Sequence, residues 1–89
     1  MHPGSIESDL TAAGRVYAYL GHHRGCWVDA WRLTLDTRTT AISTRISEIR
    51  HQLPRNERIE VKQVGRGFYY RLVKVPVIQP VGEQLALGV

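Results

Sequence analysis

Apolar residues recur at Ile42, Ile46, Ile49 and Leu53. At 3.6 residues per turn, spacings of four, three and four fall on one narrow stripe of an α-helix. The opposite side holds Thr40, Ser43, Thr44, Ser47 and His51, flanked by Arg45 and Arg50, and none of these asks for burial. The pattern predicts a helix over 40–53 with one face for a core and one free to read a ligand. Pro54 ends it, because proline lacks the N–H and its ring disfavours helical geometry in the residue before it. Beyond the proline the period changes to two. Ile59 and Val61 alternate with Glu60 and Lys62, and Tyr70 and Leu72 with Arg71, which predicts half-buried strands over 59–64 and 68–74. Gly65-Arg66-Gly67 joins them, and glycines tolerate the positive φ of a tight turn, leaving Arg66 exposed at its tip.

Upstream, Leu10, Ala13, Val16, Tyr17 and Leu20 form another amphipathic stripe. It predicts a first helix over 9–20, with Ser8 as N-cap, Asp9 favourable in the first turn and Gly21 as the stop. Residues 22–25 read as a loop, and Cys26-Trp27-Val28 as a short strand over 26–28 beside the later hairpin. Asp29 suits the cap of a second helix over 30–35, with Ala30, Leu33 and Trp31 turned inward. Asp36-Thr37-Arg38-Thr39 supplies a turn and a threonine cap for the third helix. The expected class is α+β: three helices, the last two a helix-turn-helix, with a small two- or three-stranded antiparallel sheet. Residues 1–7 read as a flexible leader, 8–74 as the domain and 75–89 as a tail. Pro76, Pro80, Gly82 and Gly88 break that tail, leaving at most a helical turn over 83–87. Its aliphatics, Leu85 and Leu87 among them, predict packing on the domain, on a second copy or on a protein partner.

Composition narrows the picture. A chain of 89 residues supports one small core and modest stability, while 43% apolar and 22% charged residues fit a folded domain. No run approaches the ~18 consecutive apolar residues of a membrane span, and the N-terminus lacks a signal-peptide core, so a soluble, cytoplasmic protein is expected. Cys26 is the only cysteine, which excludes an internal disulfide; it reads as a small half-buried residue beside Trp27. Charge is uneven. Between residues 38 and 74 lie nine basic side chains (Arg38, Arg45, Arg50, Arg55, Arg58, Lys62, Arg66, Arg71 and Lys74) against Glu48, Glu57 and Glu60, a net +6. Residues 1–37 carry −1, as does the tail through Glu83. A basic helix-plus-hairpin is the footprint of a polyanion-binding face, and equally of a solvated basic surface.

Other chemistries find little support. His22, His23 and Cys26, with His51, have metal-binding side chains, but a structural zinc site needs four ligands and usually paired cysteines. No phosphate-binding glycine loop, nucleophile elbow or paired carboxylates occur, so neither an enzyme nor a cofactor is expected. Phe68, Tyr69 and Tyr70 invite base stacking, yet neighbouring strand residues point to opposite faces, and Tyr70 with Leu72 should join the core.

With RISEIR on the third helix and GRGFYYRL on the hairpin, the chain resembles small winged helix-turn-helix domains of bacteriophages and bacteria over about residues 9 to 74. These typically carry an arginine-isoleucine-x-glutamate-aliphatic-arginine core. It is also similar to the end of the response-regulator output domain and, more distantly, to the DNA-binding domain of the biotin repressor. Arg45, Glu48 and Arg50 match the polar places of the helix motif, and Gly65, Gly67, Tyr70 and Leu72 match the wing. Where the family pattern has a glycine after the helix, this chain has Pro54-Arg55-Asn56-Glu57, and it adds the tail. The resemblance implies sequence-specific binding of double-stranded DNA by a small transcriptional regulator or a phage-type control or recombination-directionality factor. The third helix would enter the major groove and the wing would meet backbone or minor groove. Candidate contacts are Arg38, Thr40, Ser43, Thr44, Arg45, Ser47, Arg50, His51, Lys62, Arg66 and Arg71. The alternative is a winged-helix module that binds a host or phage protein without touching DNA.

Overall fold

The apolar stripe of the third helical segment does face a core: Ile42, Ile46 and Ile49 are all buried. They pack with Val16 and Leu20 of the first helix, Leu33 of the second, and Val28, Ile59, Tyr70 and Leu72 of the sheet. A fully buried aliphatic side chain contributes about 1.5–3 kcal/mol relative to exposure, so this cluster is the main source of stability. A computed structural model describes residues 5–77 of the chain. Its elements run α1 (Ala12–His22), β1 (Val28–Asp29), α2 (Ala30–Thr37), α3 (Ile42–Arg50), β2 (Glu57–Val64) and β3 (Gly67–Lys74). Over the described residues the fold is α+β, with three helices and a three-stranded antiparallel sheet in the order β1-β3-β2. The expected strand before the second helix and the long hairpin are both present.

Boundaries shift for identifiable reasons. Helix α1 starts at Ala12, not residue 9, because Thr11 is its cap: the Thr11 hydroxyl accepts from the Gly14 N–H at 2.9 Å and donates to the Ser8 carbonyl at 3.0 Å. Ser8 therefore belongs to a turn lying across the helix, and Leu10, placed in the core stripe by its spacing, is 77% exposed. Gly14 permits that crossing, since a Cβ there would sit 1.6 Å from the Ser8 carbonyl oxygen. The turn brings Ile6 into the core, and its N–H donates to Gln52 Oε1 at 3.1 Å, beyond the end of α3. Gly21 does not stop α1, which continues to His22.

Strand β1 is Val28–Asp29 instead of 26–28, and Cys26, expected half-buried, is exposed. Asp29 caps α2 as predicted, accepting from the Trp31 N–H at 2.9 Å. Trp31, expected inward, is 66% exposed, because Leu33 occupies the buried side of this short helix. Helix α3 begins at Ile42 and not at residue 40. Arg38 and Ala41 both adopt left-handed backbone (φ 54° and 53°), which cannot continue a helix, so no threonine caps α3. Its end is Arg50, and Leu53 packs on the core from the following loop. In the hairpin, Gly65 has φ +60° while Arg66 does not have positive φ, the combination of a type II′ turn. Gly67 needs no positive φ. Val61 shares the sheet face of Ile59 but remains 46% exposed, because the hairpin extends past the helices. The expected packing of residues 78–89 and the helical turn over 83–87 lie outside the described residues.

Glu57 anchors the base of the hairpin to α1. Its carboxylate accepts from the Tyr17 hydroxyl at 2.5 Å and from Arg24 at 2.9 Å. Burial pushes the Glu57 carboxyl up, but the hydrogen bonds from Tyr17 and Arg24 and the nearby positive charge outweigh it and hold the group below its ordinary value. Burial and the same carboxylate push the Tyr17 phenol up to about 12.

Two stability measurements test these placements. In urea unfolding, Gly14→Ala should lower stability by about 1–3 kcal/mol through overpacking. Gly21→Ala, where a Cβ meets nothing within 4 Å, should raise it by up to about 1 kcal/mol. Because the folded-state pKa of Glu57 is depressed, its contribution is complete above the ordinary carboxylate pKa and is lost as pH falls through the lowered folded value. Unfolding midpoints measured against pH should fall across that acid window, and Glu57→Gln should flatten the fall.

Candidate nucleic-acid interface

Helix α3 turns its isoleucines inward, and the same periodicity leaves Ser43, Thr44 and Ser47 exposed along the opposite side. Thr40 precedes them and His51, the C-terminal cap residue, follows, both exposed. The face is built of short hydroxyl side chains, which leave backbone and ligand free to approach closely. Its starting point is set by the turn between α2 and α3. There the buried Thr39 donates its N–H to Thr34 O at 3.2 Å and its hydroxyl to Thr37 O at 3.1 Å. Arg15 of α1 holds that turn from beneath: its Nε donates to Thr37 O at 3.0 Å and its Nη2 reaches Thr39 Oγ1 at 3.4 Å. Arg15 was not among the sequence candidates, and nothing in local pattern marks it, because its partners lie more than 20 residues away.

The arginines divide into committed and uncommitted ones. Arg50 donates from Nη2 to the Ile59 carbonyl at 3.0 Å, tying the end of α3 to strand β2. Arg45 sits 3.4 Å from Glu48 one turn on, held by charge alone, since among the described residues neither Arg45 Nε nor Glu48 Oε1 finds a hydrogen-bond partner. Arg58 and Arg71 both bind Glu60, at 2.9 and 2.6 Å. The Arg71 hydrogen bond, followed by that of Arg58, holds the Glu60 carboxyl below its ordinary value despite partial desolvation. Arg71 also stacks 4.4 Å from the centre of the Trp27 ring, and Lys62 lies 4.6 Å from it. By alternation Lys62 and Arg71 occupy the sheet face opposite Ile59, Tyr70 and Leu72. The structure therefore groups these two candidates around Trp27 and not with α3.

Among the described residues, Arg38, Arg55 and Arg66 have no ion pair or side-chain hydrogen bond, and all three are exposed. Arg38 lies just before α3, Arg55 follows it in the loop after Pro54, and Arg66 occupies the hairpin turn. Eight residues of β2 carry that turn roughly 25 Å from the loop. Arg55 belongs to the basic segment without being one of the contacts expected from the sequence; its place after a helix-ending proline, in an exposed loop, is the signal that marks it. His22, His23 and Cys26 are exposed, and among the described residues no three metal-binding side chains gather closely enough to hold an ion. No helix among those residues is long and apolar enough to cross a membrane.

Comparison with protein families, curated proteins and solved structures finds no match to this chain. The partition of the arginines makes a direct prediction. Arg50→Ala removes a charged donor from a backbone carbonyl and should lower unfolding stability by about 1.5–3 kcal/mol. Arg38→Ala and Arg66→Ala should stay within about 0.5 kcal/mol of the parent in the same urea titration.

Proposed function

We propose that the domain is a winged helix-turn-helix that binds double-stranded DNA, with α3 in the major groove and the β2–β3 hairpin as the wing. One observation carries the reading: α3 offers a polar face that no other described residue covers, bracketed by Arg38 and Arg55, which are unpaired among the described residues. Phosphates flank a groove-bound helix on both sides, so cations before and after it match the chemistry of the duplex. Among the described residues no side chain caps the N-terminus of α3, which leaves its first N–H groups available to a phosphate beside Arg38. Thr44 and Ser47 are short enough to meet base edges directly or through water. Arg66, in a turn whose glycine lets the backbone approach closely, meets the neighbouring backbone or minor groove.

Arg50 holds a lesser place in this scheme than its match to the helix motif implies. To read a guanine it must leave the Ile59 carbonyl, and that loss offsets part of the ~1–3 kcal/mol a bidentate contact supplies. Lys62 and Arg71 contribute to the field, not to the contact surface. A domain of this size acts by occupancy, blocking or recruiting other proteins at its site in a bacterial or phage-infected cytoplasm, as a small transcriptional regulator or a control factor.

Selection from a random duplex pool should enrich a sequence, and affinity for it should fall steeply with salt. Arg38→Ala, Arg55→Ala and Arg66→Ala should each reduce the slope of log affinity against log salt by about one. Ser47→Ala should alter base preference at one position and leave the slope unchanged. A pool that shows no enrichment, together with salt-insensitive binding, would remove the DNA reading in favour of the protein-interaction module.

A further inference from the structure

Among the described residues strand β2 is an edge of the sheet, since the strand order is β1-β3-β2. Its outward hydrogen-bonding groups follow from register. Val64 pairs with Gly67 across the two-residue turn, which makes that pair a hydrogen-bonded one. Counting back in twos, the even residues Lys62, Glu60 and Arg58 direct their backbone groups to β3, and the odd residues Ile59, Val61 and Gln63 direct theirs away from the sheet. The Arg50 bond to the Ile59 carbonyl agrees with this parity and blunts the edge at its helical end. Among the described residues nothing covers the remaining distance: Val61 and Gln63 have no outward backbone partner, and Val61, Val64 and Phe68 are 46, 57 and 44% exposed.

We propose that this distal edge pairs antiparallel with β2 of a second copy of the chain, about a two-fold axis at Val61. The parity sets odd residues against odd residues, so the axis must pass through a residue and not between two. An axis at Ile59 sets Arg50 of both copies against the central bonded pair, whereas the axis at Val61 meets it only at the two outer Ile59–Gln63 pairs. An axis at Gln63 shortens the ladder and sets Val61 against the turn residue Gly65. The axis at Val61 sets Val61 against its own copy and places Glu60 directly opposite Lys62, twice by symmetry. Charge complementarity thus selects both the occupant and the register. Lys62 has no carboxylate partner among the described residues, and Glu60, whose two oxygens hold Arg58 and Arg71, keeps its side chain 26% exposed on the same face. Cross-strand pairs of opposite charge stabilise antiparallel ladders, whereas axes at Glu60 or Lys62 would oppose like charges. The pairing rests on the sheet edge alone and not on the DNA reading.

The full chain without nucleic acid provides the test. Sedimentation equilibrium from micromolar to millimolar concentration should show a shift from one chain mass to two. Amide exchange at Val61 and Gln63 should slow over the same range. Val61→Pro removes one outward N–H, a change that an edge strand tolerates. Lys62→Glu sets carboxylate against carboxylate. Each should raise the dissociation constant about tenfold or more while circular dichroism and the unfolding midpoint show the fold retained. If Val61→Pro does not fold, Lys62→Glu decides. The proposal is overturned by a single chain mass at every concentration, or by a dimer indifferent to the folded variants. It is equally overturned by protection of Val61 and Gln63 that does not vary with concentration, which would assign the edge to a segment of the same chain. None of these outcomes bears on duplex binding, which the pool selection tests separately.

Discussion

Burial of Ile42, Ile46 and Ile49 against a single small core is the constraint from which the rest of the molecule follows. With only one core available, α3 must turn that stripe inward, and helical geometry then obliges Ser43, Thr44 and Ser47 to face outward. The hairpin is held by the same cluster through Ile59, Tyr70 and Leu72, so helix and hairpin are fixed relative to one another by the residues that stabilise the fold. A rigid platform of this kind is what a surface that reads another molecule requires.

Around that core, backbone acceptors and carboxylates determine which positive charges remain available. Glu57 takes up Arg24, Glu60 takes up Arg58 and Arg71, Glu48 lies beside Arg45, and the Ile59 carbonyl holds Arg50. Net charge is blind to this division. Among the described residues Arg38, Arg55 and Arg66 remain uncommitted, one before α3, one after it and one at the hairpin turn, and they support the proposed interface far more than the net +6 of the basic segment does.

Arg50 links the two surfaces of interest. It leaves the exposed side of α3 to hold the helix end on β2, and in doing so occupies one outward acceptor of the edge strand. The edge beyond it, with alternating charges on one face and exposed valines, remains complementary to itself.

Periodicity was legible without coordinates because it is a local property repeated over many residues. The stripe of α3, the alternation of Ile59 with Glu60 and of Leu72 with Arg71, and the Asp29 cap each express a preference written within a few neighbours. The polar face of α3 came with the stripe, being its geometric complement. Tertiary structure decided what depends on partners distant in the chain. The turn of Ser5 to Ser8 across Gly14 moved the start of α1 to Ala12 and exposed Leu10. The turn held by Arg15 moved the start of α3 to Ile42. The choice of Arg38, Arg55 and Arg66 over Arg45, Arg50 and Arg71 was likewise beyond the pattern. An arginine is free or bound according to which carboxylate or carbonyl the fold delivers to it, and no spacing along the chain records that distance.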